Sequence, residues 1–154
     1  MAQLKVALIM GSKSDAPVVE KAETILKDFG VPFETLVMSA HRNPNKARKF
    51  ALNAEANGFG VIIGFAGLAA HLPGVLASLT TLPVIGVPVA AGPLSGQDAL
   101  YSIVQMPPGI PVASIGIGNA KNAALFAVQI LSVADDSLRG RLKEFRQQFG
   151  DDPA

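Results

Sequence analysis

Five short apolar runs constrain this chain more than any other feature. Each is closed by small or turn-forming residues, and a stretch of helical periodicity follows each one. The runs cover residues 4–10, 33–38, 61–65, 83–88 and 111–117. Runs of this length bounded by Gly, Pro and Ser read as buried strands. Between the first two, Val18, Ala22, Ile25, Leu26 and Phe29 share one helical face, until Gly30 and Pro32 stop the helix. A second helix, over 44–57, turns Ala47, Phe50, Ala51 and Ala54 inward and ends at Gly58. Shorter helical segments reach about residue 79 and span 97–104 and 122–133. A last amphipathic helix over about 135–149 carries Leu138, Leu142, Phe145 and Phe149 at helical spacing. Strands alternating with helices predict an α/β fold, a doubly wound three-layer sandwich with a five-stranded parallel sheet and an extra C-terminal helix. No repeat, linker or low-complexity tract divides the 154 residues, so 1–154 is expected to form a single domain.

In such a sheet the carboxyl end of each strand opens into a loop, and ligands bind along that edge. Ser39-Ala40-His41-Arg42-Asn43-Pro44 follows the second run and holds one of only two histidines beside an arginine and near a serine. An imidazole ordinarily titrates near about 6.5, so it can give or take a proton close to neutrality. A guanidinium presents a fork of donors that matches a phosphate. Taken alone, the same loop also reads as a solvated turn. Gly11-Ser12-Lys13-Ser14-Asp15 follows the first run. Its glycine permits close backbone approach, its serines add donors, and the helix behind it offers free N–H groups to an anion. Asp15 could accept hydrogen bonds from ribose hydroxyls. The spacing is neither a Walker A loop nor a dinucleotide fingerprint, and a tight turn with Ser14 or Asp15 as helix N-cap reads equally well. Ala66-Gly67-Leu68-Ala69-Ala70-His71-Leu72-Pro73-Gly74 follows the third run. It forms either a close, uncharged wall for a small flat ligand or tight packing in which His71 bonds buried carbonyls.

Other function classes are disfavoured by composition. A formal net charge of +1 gives no basic field for nucleic acid. With no cysteine there is no disulfide, Cys-type zinc site or thiol nucleophile. The histidines lie thirty positions apart without a His-Glu-x-x-His pattern or an acidic cluster, so no metal site is expected, and no Gly-x-Ser-x-Gly elbow is present. Gly, Pro and His interrupt the most apolar stretches, so no membrane span is expected. Met1-Ala2-Gln3-Leu4-Lys5 leads straight into the first strand, and a cytoplasmic protein without a leader is expected. Between Glu55 and Asp135 the only charged residues are Asp98 and Lys121. Interface cores are depleted in charge, so this stretch predicts a homo-oligomer.

Taken together, four ordered motifs resemble those of the bacterial 5-(carboxyamino)imidazole ribonucleotide mutases of purine biosynthesis. They are Met10-Gly11-Ser12-Lys13-Ser14-Asp15, Ser39-Ala40-His41-Arg42, Ala69-Ala70-His71-Leu72-Pro73-Gly74 and Ser102-Ile103-Val104-Gln105-Met106-Pro107. The likeness runs from about residue 4 to 149, and the Ala-Ala-His-Leu-Pro-Gly form resembles the mutase branch rather than the animal-type carboxylases. It implies a flavodoxin-like domain and a cofactor-free migration of a carboxylate from an exocyclic nitrogen to a ring carbon, by decarboxylation and recarboxylation. By position, the resemblance makes His41 the acid/base. Ser12, Ser14 and Arg42 would hold phosphate, Asp15 the ribose, and Ser39, Ala66 and Gly67 the carboxylate or CO2, with His71 and Leu72 lining the site. It further implies an octamer with sites between subunits and the helix over about 135–149 packed on a neighbour. The sequence departs from the family pattern at Leu68, where a second glycine is usual, and in Ala90-Ala91-Gly92-Pro93. The segment Gly118-Asn119-Ala120-Lys121-Asn122 is also about two residues shorter than usual. The competing readings are a carboxylase that uses free CO2 and a non-catalytic nucleotide- or flavin-binding module. Against a flavin stand the 6% aromatic content, the absence of Trp and the single tyrosine, Tyr101.

Overall fold

A computed structural model describes residues 3–150; the first two and last four residues of the expected 1–154 domain lie outside the described residues. Five parallel strands form one sheet: β1 (Lys5–Met10), β2 (Phe33–Val37), β3 (Phe59–Gly67), β4 (Val84–Val89) and β5 (Ala113–Ser114). Their spatial order is β2-β1-β3-β4-β5, the doubly wound order of flavodoxin-like folds. Six helices cover the two faces: α1 (Ala16–Asp28), α2 (Pro44–Asn53), α3 (Leu72–Ala77), α4 (Gln97–Val104), α5 (Ala120–Ser132) and α6 (Asp136–Gln147). The α/β architecture read from the alternation of runs is therefore the one observed.

Strand alternation sorts the core into two layers. Val6, Leu8 and Met10 of β1, with Val61, Ile63 and Phe65 of β3, face α1, α5 and α6. Ala7 and Ile9, with Ile62 and Ala66, face α2, α3 and α4. β3 is buried along Phe59–Ala66, as expected of a central parallel strand. Each large side chain fully buried here, such as Phe65, Leu8 or Ile63, contributes about 1.5–3 kcal/mol relative to exposure.

Two partnered glycines set the depth at which α3 sits. Gly64 and Gly86 are register partners on β3 and β4. A Cβ on Gly64 would stand 3.1 Å from Pro73 Cγ, and one on Gly86 would stand 3.3 Å from Pro73 Cβ and 2.4 Å from Ile103 Cγ2. The missing side chains let the first turn of α3 rest on the sheet, and His71 immediately precedes that turn.

Several element ends differ from the sequence-based expectation. β3 continues through Ala66 and Gly67, which pair with Pro88 and Val89 of β4. Small residues that read as loop are here held by ladder hydrogen bonds. The fifth run, expected over 111–117, yields only the two residues of β5, paired with Ile85 and Gly86. Pro107, Pro108 and Pro111 lack N–H donors, and β5 is an edge strand where only one neighbour can hold it. α1 buries Val19, Ala22 and Leu26, so its inward stripe is turned slightly from the expected one and leaves Val18 and Ile25 half-buried. α6 buries Leu138 and Leu142 against its own chain, and Phe145 lies 5.5 Å from Phe29, centroid to centroid. Phe149 is left exposed.

Candidate active site

The loops after β1, β2, β3 and β4 enclose a cleft of about 520 Å³ at the carboxyl edge of the sheet. That volume lies in the usual range for small-molecule sites. Because the sheet runs β2-β1-β3-β4, β1 and β3 flank the switch point, where this fold opens a crevice. All ten residues singled out in the sequence line it: Ser12, Ser14 and Asp15 after β1, Ser39, His41 and Arg42 after β2, Ala66, Gly67, His71 and Leu72 from β3 to α3. Polar and charged groups thus come from the β1 and β2 side. The wall supplied by β3 and β4, Ala66, Gly67, Leu68, Ala69 and Ala91, has no charge.

Ser12 organises the first loop. Its Oγ accepts from the Ser14 N–H at 3.3 Å and lies 2.9 Å from Ser14 Oγ, and it caps a single 3₁₀ turn over Lys13–Asp15. Asp15 occupies the N-cap position of α1, as one of the two sequence readings had it, but makes no capping bond through its side chain; the side-chain cap is that of Ser12 on the 3₁₀ turn. Asp15 lines the cleft, although only 8% of it is exposed. Burial raises its pKa above the ordinary 3.8, against the opposing pull of the Ser12 backbone bond, the Arg42 charge and the Ser14 hydroxyl. The native state therefore holds the Asp15 proton more tightly than the unfolded chain. Stability contributed by this group is lost as pH rises from the ordinary value through the raised one, and the ionised carboxylate is a net cost above that. Asp15→Asn is expected to melt higher than the wild type at neutral pH, with the gap closing as pH falls below 3.8. Thermal melts across that range check this, and a gap independent of pH would mean that the carboxylate is not the cause.

In the second loop, Ser39 Oγ accepts from the backbone N–H groups of His41 (3.3 Å) and Arg42 (3.1 Å). Asn43 Oδ1 in turn accepts from the Ser39 N–H at 2.5 Å. These bonds curl the chain so that the side chains of His41 and Arg42 leave the loop on the cleft side. Arg42 Nη2 donates to the Gly11 carbonyl at 3.0 Å and so ties the β1 and β2 loops together. A smaller adjoining hollow of about 310 Å³ shares Gly11, Ser12, Ser39 and Arg42 and adds Lys13, Val37 and Asn43. Two cations, hydroxyls and backbone near the start of α1 suit that end to a phosphate.

His41 and His71, thirty positions apart, meet across the cleft. His41 Nε2 and His71 Nδ1 are 2.7 Å apart, with the rings nearly perpendicular at 83°. At that distance one nitrogen carries the shared proton and the other accepts it, so each ring fixes the tautomer and orientation of its neighbour. Of the two sequence alternatives for His71, bonding to buried carbonyls gives way to an exposed pairing with His41. Among the described residues, no group of three or more Asp, Glu and His side chains is placed to hold a metal. Among the same residues, no helix is long and apolar enough to cross a membrane. Ala40, Leu68, Ala69 and Ala91 also line the cleft but were not chosen from sequence. They carry no functional group; Leu68 and Ala91 stood out in the sequence only as departures from the family pattern, and Ala40 and Ala69 only by their position in the loops.

Known proteins share much of this sequence and its fold. Residues 5–152 match the family model described as AIR carboxylase. A Pyrococcus abyssi protein named N5-carboxyaminoimidazole ribonucleotide mutase is 55% identical over 145 residues, covering 94% of this chain and 83% of that protein. A Saccharomyces cerevisiae phosphoribosylaminoimidazole carboxylase is 52% identical over 140 residues, covering 91% of this chain but only 24% of that protein. The crystal structure of Treponema denticola PurE superposes with a TM-score of 0.88 at 29% identity, over 96% of this chain and 92% of that one. A match that takes in every loop of the cleft, with half or more of the residues shared by the two sequence relatives, means that this chain belongs to the AIR carboxylase family.

Proposed function

We propose that this protein is an isomerase of purine biosynthesis that converts 5-(carboxyamino)imidazole ribonucleotide to 4-carboxy-5-aminoimidazole ribonucleotide. The observation that carries this reading is the His41–His71 pair, set between a phosphate-suited end and an uncharged wall in one cleft. The N5-carboxyaminoimidazole ribonucleotide mutase names of the relatives, of which the chain spans most of the length, support it.

In this reading Ser12, Ser14 and Arg42 hold the phosphate and Asp15 the ribose hydroxyls. Ser39, Ala66 and Gly67 take the carboxyl group, and Leu72 and His71 complete the wall. The reaction needs one proton moved between two atoms of one substrate. The carbamate N–C bond breaks, its electron pair stays on nitrogen, and protonated His41 gives that nitrogen a proton. The electron-rich ring carbon then forms a bond to the released CO2. His41, now neutral, takes the proton that leaves the ring carbon and returns to its starting state. His71, bonded to His41, keeps the imidazole aimed through both steps. No electron leaves or enters, so the reading requires no redox cofactor.

The test is turnover of the carbamate without ATP or added metal, beside a sample of aminoimidazole ribonucleotide with bicarbonate. Reaction of the first is the expected result. Reaction of the second alone would make the protein a carboxylase, and binding without either reaction would make it a nucleotide-binding module.

A homo-oligomer, an octamer with sites between subunits, belongs to the same reading. It is supported by the exposed apolar side chains of the charge-poor middle, among them Leu94 (56%), Tyr101 (63%) and Val104 (48%). Phe149, on the segment expected to meet a neighbour, is 71% exposed. Sedimentation is expected to show a species many times 15.9 kDa, and a monomer alone would remove the oligomer from the reading. A cytoplasmic location goes with it, since a charged ribonucleotide does not pass a bilayer unaided.

A further inference from the structure

Leu68 occupies a backbone conformation that its side chain opposes. Its φ is +55°, in the left-handed region where a Cβ meets the following carbonyl oxygen. Asn and Asp soften that penalty with a local hydrogen bond, which leucine cannot form. Nor does burial offset it, because Leu68 is 52% exposed. Of the two non-glycine residues with positive φ among the described residues, Leu68 lines the cleft and Ser95 does not.

The loop after β4 holds Leu68 in place. Its Cδ2 lies 2.7 Å from where a Cβ on Gly92 would stand, and Gly92 itself has a φ of +67°. Beside it, a Cβ on Gly67 would stand 3.1 Å from Ala91 Cβ. The β3 and β4 loops therefore touch through Gly67 against Ala91 and Leu68 against Gly92, and of these four residues Leu68 alone has a long side chain. A strained residue fixed by its surroundings at the edge of a ligand site is where function, rather than folding, sets the conformation.

We propose that Leu68 is a positioning residue that closes the uncharged end of the cleft with an apolar bar, keeping CO2 from water while it is free. This rests on the mutase reading above. Between the breaking of the carbamate N–C bond and the forming of the ring-carbon C–C bond, the CO2 carries no charge and has no anchor. An apolar wall that excludes water keeps it beside the ring carbon.

The test uses the mutase substrate labelled at its carbamate carbon, in unlabelled bicarbonate. It measures label kept in product per substrate consumed, with kcat and KM, for the wild type, Leu68→Ala, Leu68→Gly and Leu68→Met. Leu68→Ala keeps the Cβ and its backbone constraint but removes the atoms that reach Gly92, whereas Leu68→Gly also removes the strain. The wild type and Leu68→Met are expected to retain nearly all the label. Both truncations are expected to lose at least half of it, mainly at the expense of kcat, with KM changed by less than about twofold. Leu68→Gly is expected to melt above Leu68→Ala while leaking as much, which a purely structural role would not produce. Label retained by both truncations as by the wild type would overturn the role of Leu68 and leave the mutase reading standing. A wild type that does not turn over the carbamate would overturn that reading and this proposal together.

Discussion

His41→Asn is expected to lower kcat by about 10²–10⁴-fold, the usual contribution of a positioned general acid/base, while the ribonucleotide still binds. The amide has no titrating nitrogen, so the proton between ring carbon and exocyclic nitrogen loses its carrier. Binding persists because the groups assigned to phosphate and ribose, Ser12, Ser14, Arg42 and Asp15, come from other positions around the cleft. The His41 N–H bond to Ser39 Oγ is a backbone bond, so the loop keeps its curl in the variant. His71→Asn is expected to be milder, about tenfold, because it removes the partner at 2.7 Å and not the proton carrier. Its signature is a changed pH–rate profile with little change in KM. Steady-state kinetics and calorimetric titration check both variants. A kcat for His41→Asn within a few-fold of wild type would take His41 out of its role.

Arg42→Ala is expected to weaken binding of the ribonucleotide by about 10–100-fold, as for a charged hydrogen bond worth about 1.5–3 kcal/mol. Its dephosphorylated nucleoside should lose only a few-fold. The two ligands separate the two things that Arg42 does. Its bond from Nη2 to the Gly11 carbonyl joins the β1 and β2 loops whichever ligand is present, so losing it affects both alike. Only the nucleotide also loses a cation facing its phosphate. Arg42→Lys is expected to fall between, since an ammonium keeps the charge but not the fork. Equal losses for nucleotide and nucleoside would mean that Arg42 serves the loops and not the phosphate.

These variants can be placed because the candidate site was largely legible in the sequence, in a particular way. Ser12, Asp15, Ser39, His41 and Arg42 sit within a few residues of a strand end, and strand ends are marked by short apolar runs giving way to small residues. Gly30, Pro32 and Gly58 mark helix stops through their own backbone geometry, which acts locally. The fifth run misled because its apolar character says nothing of which neighbours will hold it. With one partner strand and three prolines nearby, only Ala113 and Ser114 pair. Ala66 and Gly67 misled in the opposite direction, since small residues suit both a loop and a strand pressed against Ala91 and Val89.

By itself the sequence determined the alternating α/β architecture, the loops that line the cleft, and the charge-poor middle. Each depends on residues close together in the chain, through periodicity, turn chemistry and composition. Tertiary structure alone decided the order β2-β1-β3-β4-β5, and from it the meeting of His41 with His71 across thirty positions. It also decided that Leu68 stands at a φ of +55° against Gly92. The physical reason is common to all three. Which strands become neighbours is settled by how two faces of one sheet bury their side chains together, and contacts between loops inherit that choice.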